Sequence, residues 1–81
     1  MDRPAKHATA GQIESMIMAR LHSAYPQCDL YIDSVVVTPA GEAGHWIADT
    51  VIRQGTTVPS DCYSIKNAIT TKLRREYDLS P

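Results

Sequence analysis

Two β-strand patterns around a short turn constrain the fold of this chain more than any other feature. The first, LYIDSVVVTP (residues 30–39), is rich in β-branched and aromatic side chains, and the second, HWIADTVIR (residues 45–53), has the same character. A short connection with two glycines joins them, which predicts an antiparallel hairpin. Because no other segment shows a strand pattern, we expect a sheet of only two strands.

Both faces of this hairpin are predicted to be apolar, since side chains alternate across a strand. With Thr38 placed opposite His45, one face carries Val35, Val37, Trp46, Ala48 and Ile52, and the other carries Ile32, Val36, Ile47, Val51 and His45. Trp46 is the predicted centre of the core, because burying a large aromatic side chain removes roughly 150–250 Å² of surface from water. A slip of one residue in the pairing would exchange the faces.

Two amphipathic helices are predicted, one on each side of the hairpin in the sequence. Thr9 and Gln12 have the spacing of a capping box, and residues 13–24 carry an apolar stripe of helical period. Ser60 is the predicted N-cap of the second helix, and its stripe runs through residues 62–77. The order helix–strand–strand–helix predicts a two-layer α+β fold in which the hairpin packs on both helices.

The length of 81 residues corresponds to one domain, near the lower limit for a self-sufficient core. We expect residues 1–8 to form a flexible N-terminal tail and residues 9–79 to form the single small α+β domain.

We predict a homodimer because a lone hairpin is only marginally stable in water and leaves unpaired backbone groups at its edges. We expect a strong or obligate two-fold dimer, in which the hairpins either join edge to edge as a four-stranded sheet or stack their second apolar faces. The predicted interface residues are Ile32, Val36, Ile47, Val51 and His45.

The charge pattern does not indicate a strong nucleic-acid binder, because the formal net charge is −1. A weaker candidate surface is the predicted outward side of the second helix, where Lys66, Arg74 and Arg75 are able to contact phosphates. The segment SIKNAITTKL (residues 64–73) resembles, at Lys66 and Ala68, a helix start in double-stranded-RNA-binding domains. That resemblance covers about a dozen residues, and only Lys66 and Ala68 fit it, so we do not assign the chain to that family.

The two cysteines, Cys28 and Cys62, are not arranged as a metal motif, since structural zinc sites usually pair their ligands at short spacing. The N-terminal segment is polar and has no apolar signal-peptide core, and no run of residues is long and apolar enough to cross a membrane. We therefore expect a cytoplasmic protein with reduced thiols, and a disulfide is the alternative if Cys28 and Cys62 meet in the fold. We also expect a bacterial origin and no cofactor.

Catalytic motifs such as a nucleophile elbow, a P-loop or a metalloprotease helix are not present in the sequence. We expect first a homodimeric, non-catalytic interaction or structural module. The alternatives are a nucleic-acid-associated regulatory module that uses the second helix, and a ligand-binding or enzymatic dimer with a pocket at the subunit boundary near His45, Trp46 and Asp49.

Overall fold

The computed structural model describes residues 6–80 as an α+β fold with two α-helices. In chain order the elements are strand β1 (Lys6–Ala8), helix α1 (Ala10–Ala24), a 3-10 helix (Pro26–Leu30), strands β2 (Ile32–Pro39) and β3 (Trp46–Ile52), helix α2 (Ser60–Glu76) and strand β4 (Tyr77–Leu79). Strands β2 and β3 form the predicted antiparallel hairpin, and β1 and β4 form a second, parallel pair. The predicted α+β class is confirmed.

Helix α1 begins as its capping pattern predicts. The Gln12 backbone N–H donates to the Thr9 hydroxyl, and the Thr9 backbone N–H donates to the Gln12 side chain. Ile13, Ile17 and Leu21 on its stripe are completely buried. The helix ends before Pro26, because the residue that precedes a proline is disfavoured in helical conformation.

The register of the hairpin differs from the predicted one by two residues, because Thr38 lies opposite Ile47. An even shift preserves the faces, and Val35, Val37, Trp46 and Ala48 are all buried as predicted. They form one core cluster together with Ile13, Ile17, Leu73 and Ala8.

Two residues differ from the predicted faces. Ile52, which we predicted in the core, is 44% exposed, and Ile32, which we predicted on the outer face, is buried. The pairing is irregular between Ile32 and Ser34, where β2 contains a bulge, and Ile32 lies opposite Ile52. An extra residue in one strand reverses the alternation beyond it. Ile32 is therefore buried at 1% exposure beside Leu21 and Cys28, and it does not belong to the outer apolar face.

The chain ends are more ordered than we predicted. Residues 6–8, which we placed in a flexible tail, pair as β1 with the C-terminal strand β4, while residues 1–5 of that tail lie outside the described residues. Ala8 and Asp78 are both buried. The indole N–H of Trp46 donates to the Tyr77 carbonyl at 3.1 Å, which links this second sheet to the hairpin.

Cys28 and Cys62 form a disulfide, contrary to our prediction of free thiols. Their Cα atoms are 5.8 Å apart, and both residues are completely buried. The bond joins the 3-10 helix to the first turn of α2 inside a second core cluster that also contains Ile32 and Val58. The disulfide therefore crosslinks the end of the molecule remote from the hairpin turn.

Candidate interaction surface on the hairpin

The outer face of the hairpin is the side opposite the buried Trp46 face, and it carries three exposed aliphatic side chains. Val36, Ile47 and Val51 are 42%, 41% and 39% exposed. Val36 lies opposite Asp49 in the register, so Ile47 and Val51 are its diagonal neighbours on the adjacent strand. The structure thus brings together three of the five predicted interface residues in one patch around Asp49.

Charged side chains follow the same face of β3 at every fourth position. His45 is exposed just before the strand, Asp49 lies at its middle, and Arg53 follows its end. The Arg53 guanidinium contacts the Asp33 carboxylate at 3.0 Å and donates to the Asp29 carbonyl at 3.1 Å. Arg53 is therefore engaged within the subunit, whereas the structure places His45 at the end of the patch, as predicted.

Both open edges of the hairpin are capped by side chains from the helices. On the β2 edge, the Val37 backbone N–H donates to the Glu14 carboxylate at 2.8 Å. On the β3 edge, the Lys66 ammonium donates to the Ala48 carbonyl at 2.7 Å, and Arg74 Nε donates to the Trp46 carbonyl at 3.1 Å. These contacts occupy backbone groups that an added strand would need.

Lys66 and Arg74 are consequently not the free phosphate contacts that we predicted. Lys66 is only 8% exposed, and the Arg74 guanidinium lies 5.5 Å from the centre of the Trp46 ring. Burial is the largest influence on the pKa of Lys66 and lowers it from the ordinary value of 10.5; the negative charge of Asp49 raises it, and Arg74 lowers it. Of the three predicted cations, Arg75 has an exposed side chain and makes no contact to the hairpin edge within residues 6–80.

A pocket of about 350 Å³ lies beside the outer face, between the hairpin turn and the end of α2. His45, Trp46, Arg74 and Asp78 line it, and Asp78 is only 4% exposed. Gly44 permits this packing: its φ is +89°, and a Cβ at this position would lie 2.9 Å from the Asp78 side chain. The lining of the pocket therefore includes an imidazole, a guanidinium, a carboxylate and an indole.

Sequence reasoning missed the side chains that cap the hairpin edges and the burial of Asp78. A signal for the caps did exist, because a two-stranded sheet leaves carbonyl groups that require donors, and long cations on the neighbouring helix are suitable donors. No local pattern distinguishes Asp78 from a solvent-exposed aspartate.

No group of three or more histidine, cysteine or acidic side chains within residues 6–80 is arranged to hold a metal ion. In the same part of the chain, neither helix has the length and apolar character required to cross a bilayer. Comparison with protein-family models, with curated proteins and with solved structures found no match to this chain.

Proposed function

We propose that this protein is a non-catalytic interaction module that associates with a second copy of itself through the outer face of the hairpin. The observation that carries this proposal is the patch of Val36, Ile47 and Val51, about 40% exposed each on a regular sheet face. Exposed apolar side chains grouped on one sheet face are typical of an interaction site, and here they surround Asp49.

Stacking of two outer faces is the mode of association that the contacts favour. Edge-to-edge pairing of hairpins would have to displace Glu14 from β2, or Lys66 and Arg74 from β3. Displacement of Lys66 would also leave its buried ammonium without the Ala48 carbonyl, and an unpaired buried charge is strongly unfavourable. Face stacking leaves all of these hydrogen bonds intact.

The size of the face favours a weak dimer over the strong one that we expected from the sequence. Seven residues of β3 at 3.3 Å each, across two strands about 4.8 Å apart, give a face of roughly 220 Å². A standard stable interface buries about 800 Å² on each partner. The monomer also has its own buried core and a disulfide, so it does not need the partner in order to fold.

The test is sedimentation velocity over a concentration series from micromolar to millimolar. Wild-type protein should show a sedimentation coefficient that rises with concentration, and Ile47→Lys should remain monomeric throughout. Leu30→Lys is the matched control, because Leu30 is 63% exposed but lies outside the hairpin, and this variant should associate like wild type. A wild-type chain that stays monomeric at millimolar concentration would contradict the proposal.

A second candidate function is the binding of a small polar ligand in the pocket beside the outer face. The observation that favours it is the presence of His45, Arg74 and Asp78 in the lining of one pocket, because ligand pockets usually combine apolar walls with a few polar groups. Titration with small carboxylates and phosphates should change the Trp46 fluorescence, and Arg74→Met should abolish that change. An unchanged emission with every such compound would exclude this function for these ligand classes.

The disulfide bears on the compartment in which the protein works. Disulfides persist mainly in oxidising environments, so the Cys28 and Cys62 pair supports such an environment over the cytoplasm that we expected. Alkylation of the denatured protein immediately after cell lysis provides the test. Two modified cysteines would restore the cytoplasmic assignment, and none would support an oxidising compartment.

A further inference from the structure

The first turn of α2 has little local stabilisation. Pro59 occupies the N-cap position, and no side chain within the described residues caps the first backbone N–H groups of the helix. Ser60, which we predicted as the N-cap, is instead the first residue of α2, whereas α1 has a complete capping box. A helix start without a side-chain cap is less stable, so the position of this turn depends on its tertiary contacts.

The disulfide fixes the first half of α2, because it joins Cys62 in this turn to Cys28 of the 3-10 helix inside the second core cluster. Other contacts fix the second half. Leu73 is completely buried in the core cluster around Trp46, and Arg74 Nε donates to the Trp46 carbonyl. The two halves of the helix are therefore attached to the rest of the molecule independently.

Lys66 lies one helical turn after Cys62 on the same buried stripe of α2. Its ammonium has three N–H groups and within residues 6–80 donates one hydrogen bond, to the Ala48 carbonyl of β3 at 2.7 Å. At 8% exposure this group has lost most of its hydration, and burial lowers the pKa of Lys66. Water would solvate the ammonium better, so Lys66 stays at Ala48 because the first half of α2 is held in place.

We propose that the disulfide between Cys28 and Cys62 is a redox-sensitive switch that controls access to the β3 edge of the hairpin. On reduction, the first half of α2 separates from the 3-10 helix, Lys66 moves into water, and the Ala48 carbonyl is uncovered. An uncovered edge presents backbone groups that pair readily with another strand. The switch goes beyond the proposed function and does not depend on it, because the outer face around Ile47 takes no part in it.

Reduction adds two electrons and two protons across the sulfur–sulfur bond and leaves two thiols. A dithiol supplies them and itself becomes a disulfide, by way of a mixed disulfide with Cys28 or Cys62. Both cysteines are completely buried, so the attack takes place in molecules in which the first turn of α2 has opened. The core cluster around Trp46 contains neither cysteine and keeps its contacts throughout.

The test measures the rate at which each lysine of α2 reacts with an acetylating reagent, with mass spectrometry of the peptides as the readout. Oxidised protein is compared with protein reduced by a thiol-free phosphine, which takes oxygen from water to become its oxide. Lys72 is the internal control, because it is exposed and follows the segment that the disulfide fixes. A crosslink changes an opening equilibrium by roughly 30- to 700-fold, so reduction should raise the Lys66 rate by roughly 30-fold or more, toward that of Lys72.

Two further measurements separate local opening from global unfolding. Trp46 fluorescence should be the same before and after reduction, because the indole lies in the cluster that lacks the cysteines. Amide hydrogen exchange should accelerate in residues 62–68 and remain slow at Leu73, which that cluster buries. Together these results would place the opening in the first half of α2.

The double variant Cys28→Ala with Cys62→Ala should acetylate rapidly at Lys66 with or without the phosphine, and slow labelling in this variant would overturn the switch. Equal Lys66 rates in the oxidised and reduced wild type would overturn it as well. Exchange that accelerates equally at Leu73, or a Trp46 emission typical of the unfolded chain, would show global unfolding and exclude a local switch. A wild type that stays monomeric contradicts the proposed function alone.

Discussion

Opening the disulfide between Cys28 and Cys62 should remove a large part of the stability of this domain. The two residues are separated by 34 positions in the sequence. For a loop of this length, the chain-entropy relation gives a loss of about 13 cal/mol/K in the unfolded chain, or about 4 kcal/mol at room temperature. A domain of 81 residues typically has a total stability of about 4–12 kcal/mol, so the crosslink is a major fraction of it.

The measurement compares urea unfolding of the oxidised protein with that of protein unfolded, reduced and refolded in a thiol-free reductant. Trp46 is the one tryptophan and is 3% exposed, so its fluorescence reports the loss of the core. Reduction removes no heavy atom from either side chain, so it changes the packing less than a truncation to alanine would. The reduced chain should unfold at much lower urea and show a larger dependence on urea, because its unfolded state exposes more surface.

The control is the double variant Cys28→Ala with Cys62→Ala, whose unfolding curve should not respond to the reductant. A difference below about 1 kcal/mol between the oxidised and reduced chains would refute the entropic argument.

Two further predictions concern single residues. Lys66→Met should flatten the pH dependence of stability. Burial lowers the pKa of Lys66 from 10.5, so the unfolded chain binds more protons than the folded chain between that lowered pKa and 10.5. The unfolding free energy of wild type should therefore rise with pH across this window relative to the variant. Lys72→Met, which alters an exposed lysine of the same helix, should retain the wild-type slope, and equal slopes for both variants would contradict the prediction. Gly44→Ala should destabilise the fold by roughly 1–3 kcal/mol or more, since the φ of Gly44 is +89° and the added Cβ would lie 2.9 Å from the Asp78 carboxyl group. Gly41→Ala has a similar φ of +72° in open space, so chemical denaturation should show a smaller loss there, and equal losses would count against the clash.

Prediction of the hairpin faces from the sequence succeeded although the register was wrong. The pairing of Thr38 with Ile47 instead of His45 is a shift of two residues, and two is the period of side-chain alternation. Val36, Ile47 and Val51 were therefore assigned to the correct face. Ile32 was not, because β2 contains a bulge between Ile32 and Ser34, which the alternation of residue types does not reveal.

Helix α2 has buried residues that its hydrophobic periodicity does not predict. Cys62 and Leu73 are buried as their stripe predicts, but Lys66 and Thr70 are buried as well. The Lys66 ammonium donates to the Ala48 carbonyl of β3, and the Thr70 hydroxyl donates to the Lys66 carbonyl within the helix. A hydrophobicity pattern does not predict the burial of these polar residues, because it depends on neighbours that are distant in the sequence.

The sequence by itself determined the order of the main elements, the capping of α1, the burial of Trp46 and the two-sided apolar character of the hairpin, because these properties depend on residues a few positions apart. Only the tertiary structure decided the Cys28 and Cys62 pairing, the capped sheet edges and the parallel pairing of β1 with β4. Each of these joins groups separated by 18 or more positions. Such contacts form when whole elements pack, and no local pattern of residues specifies them.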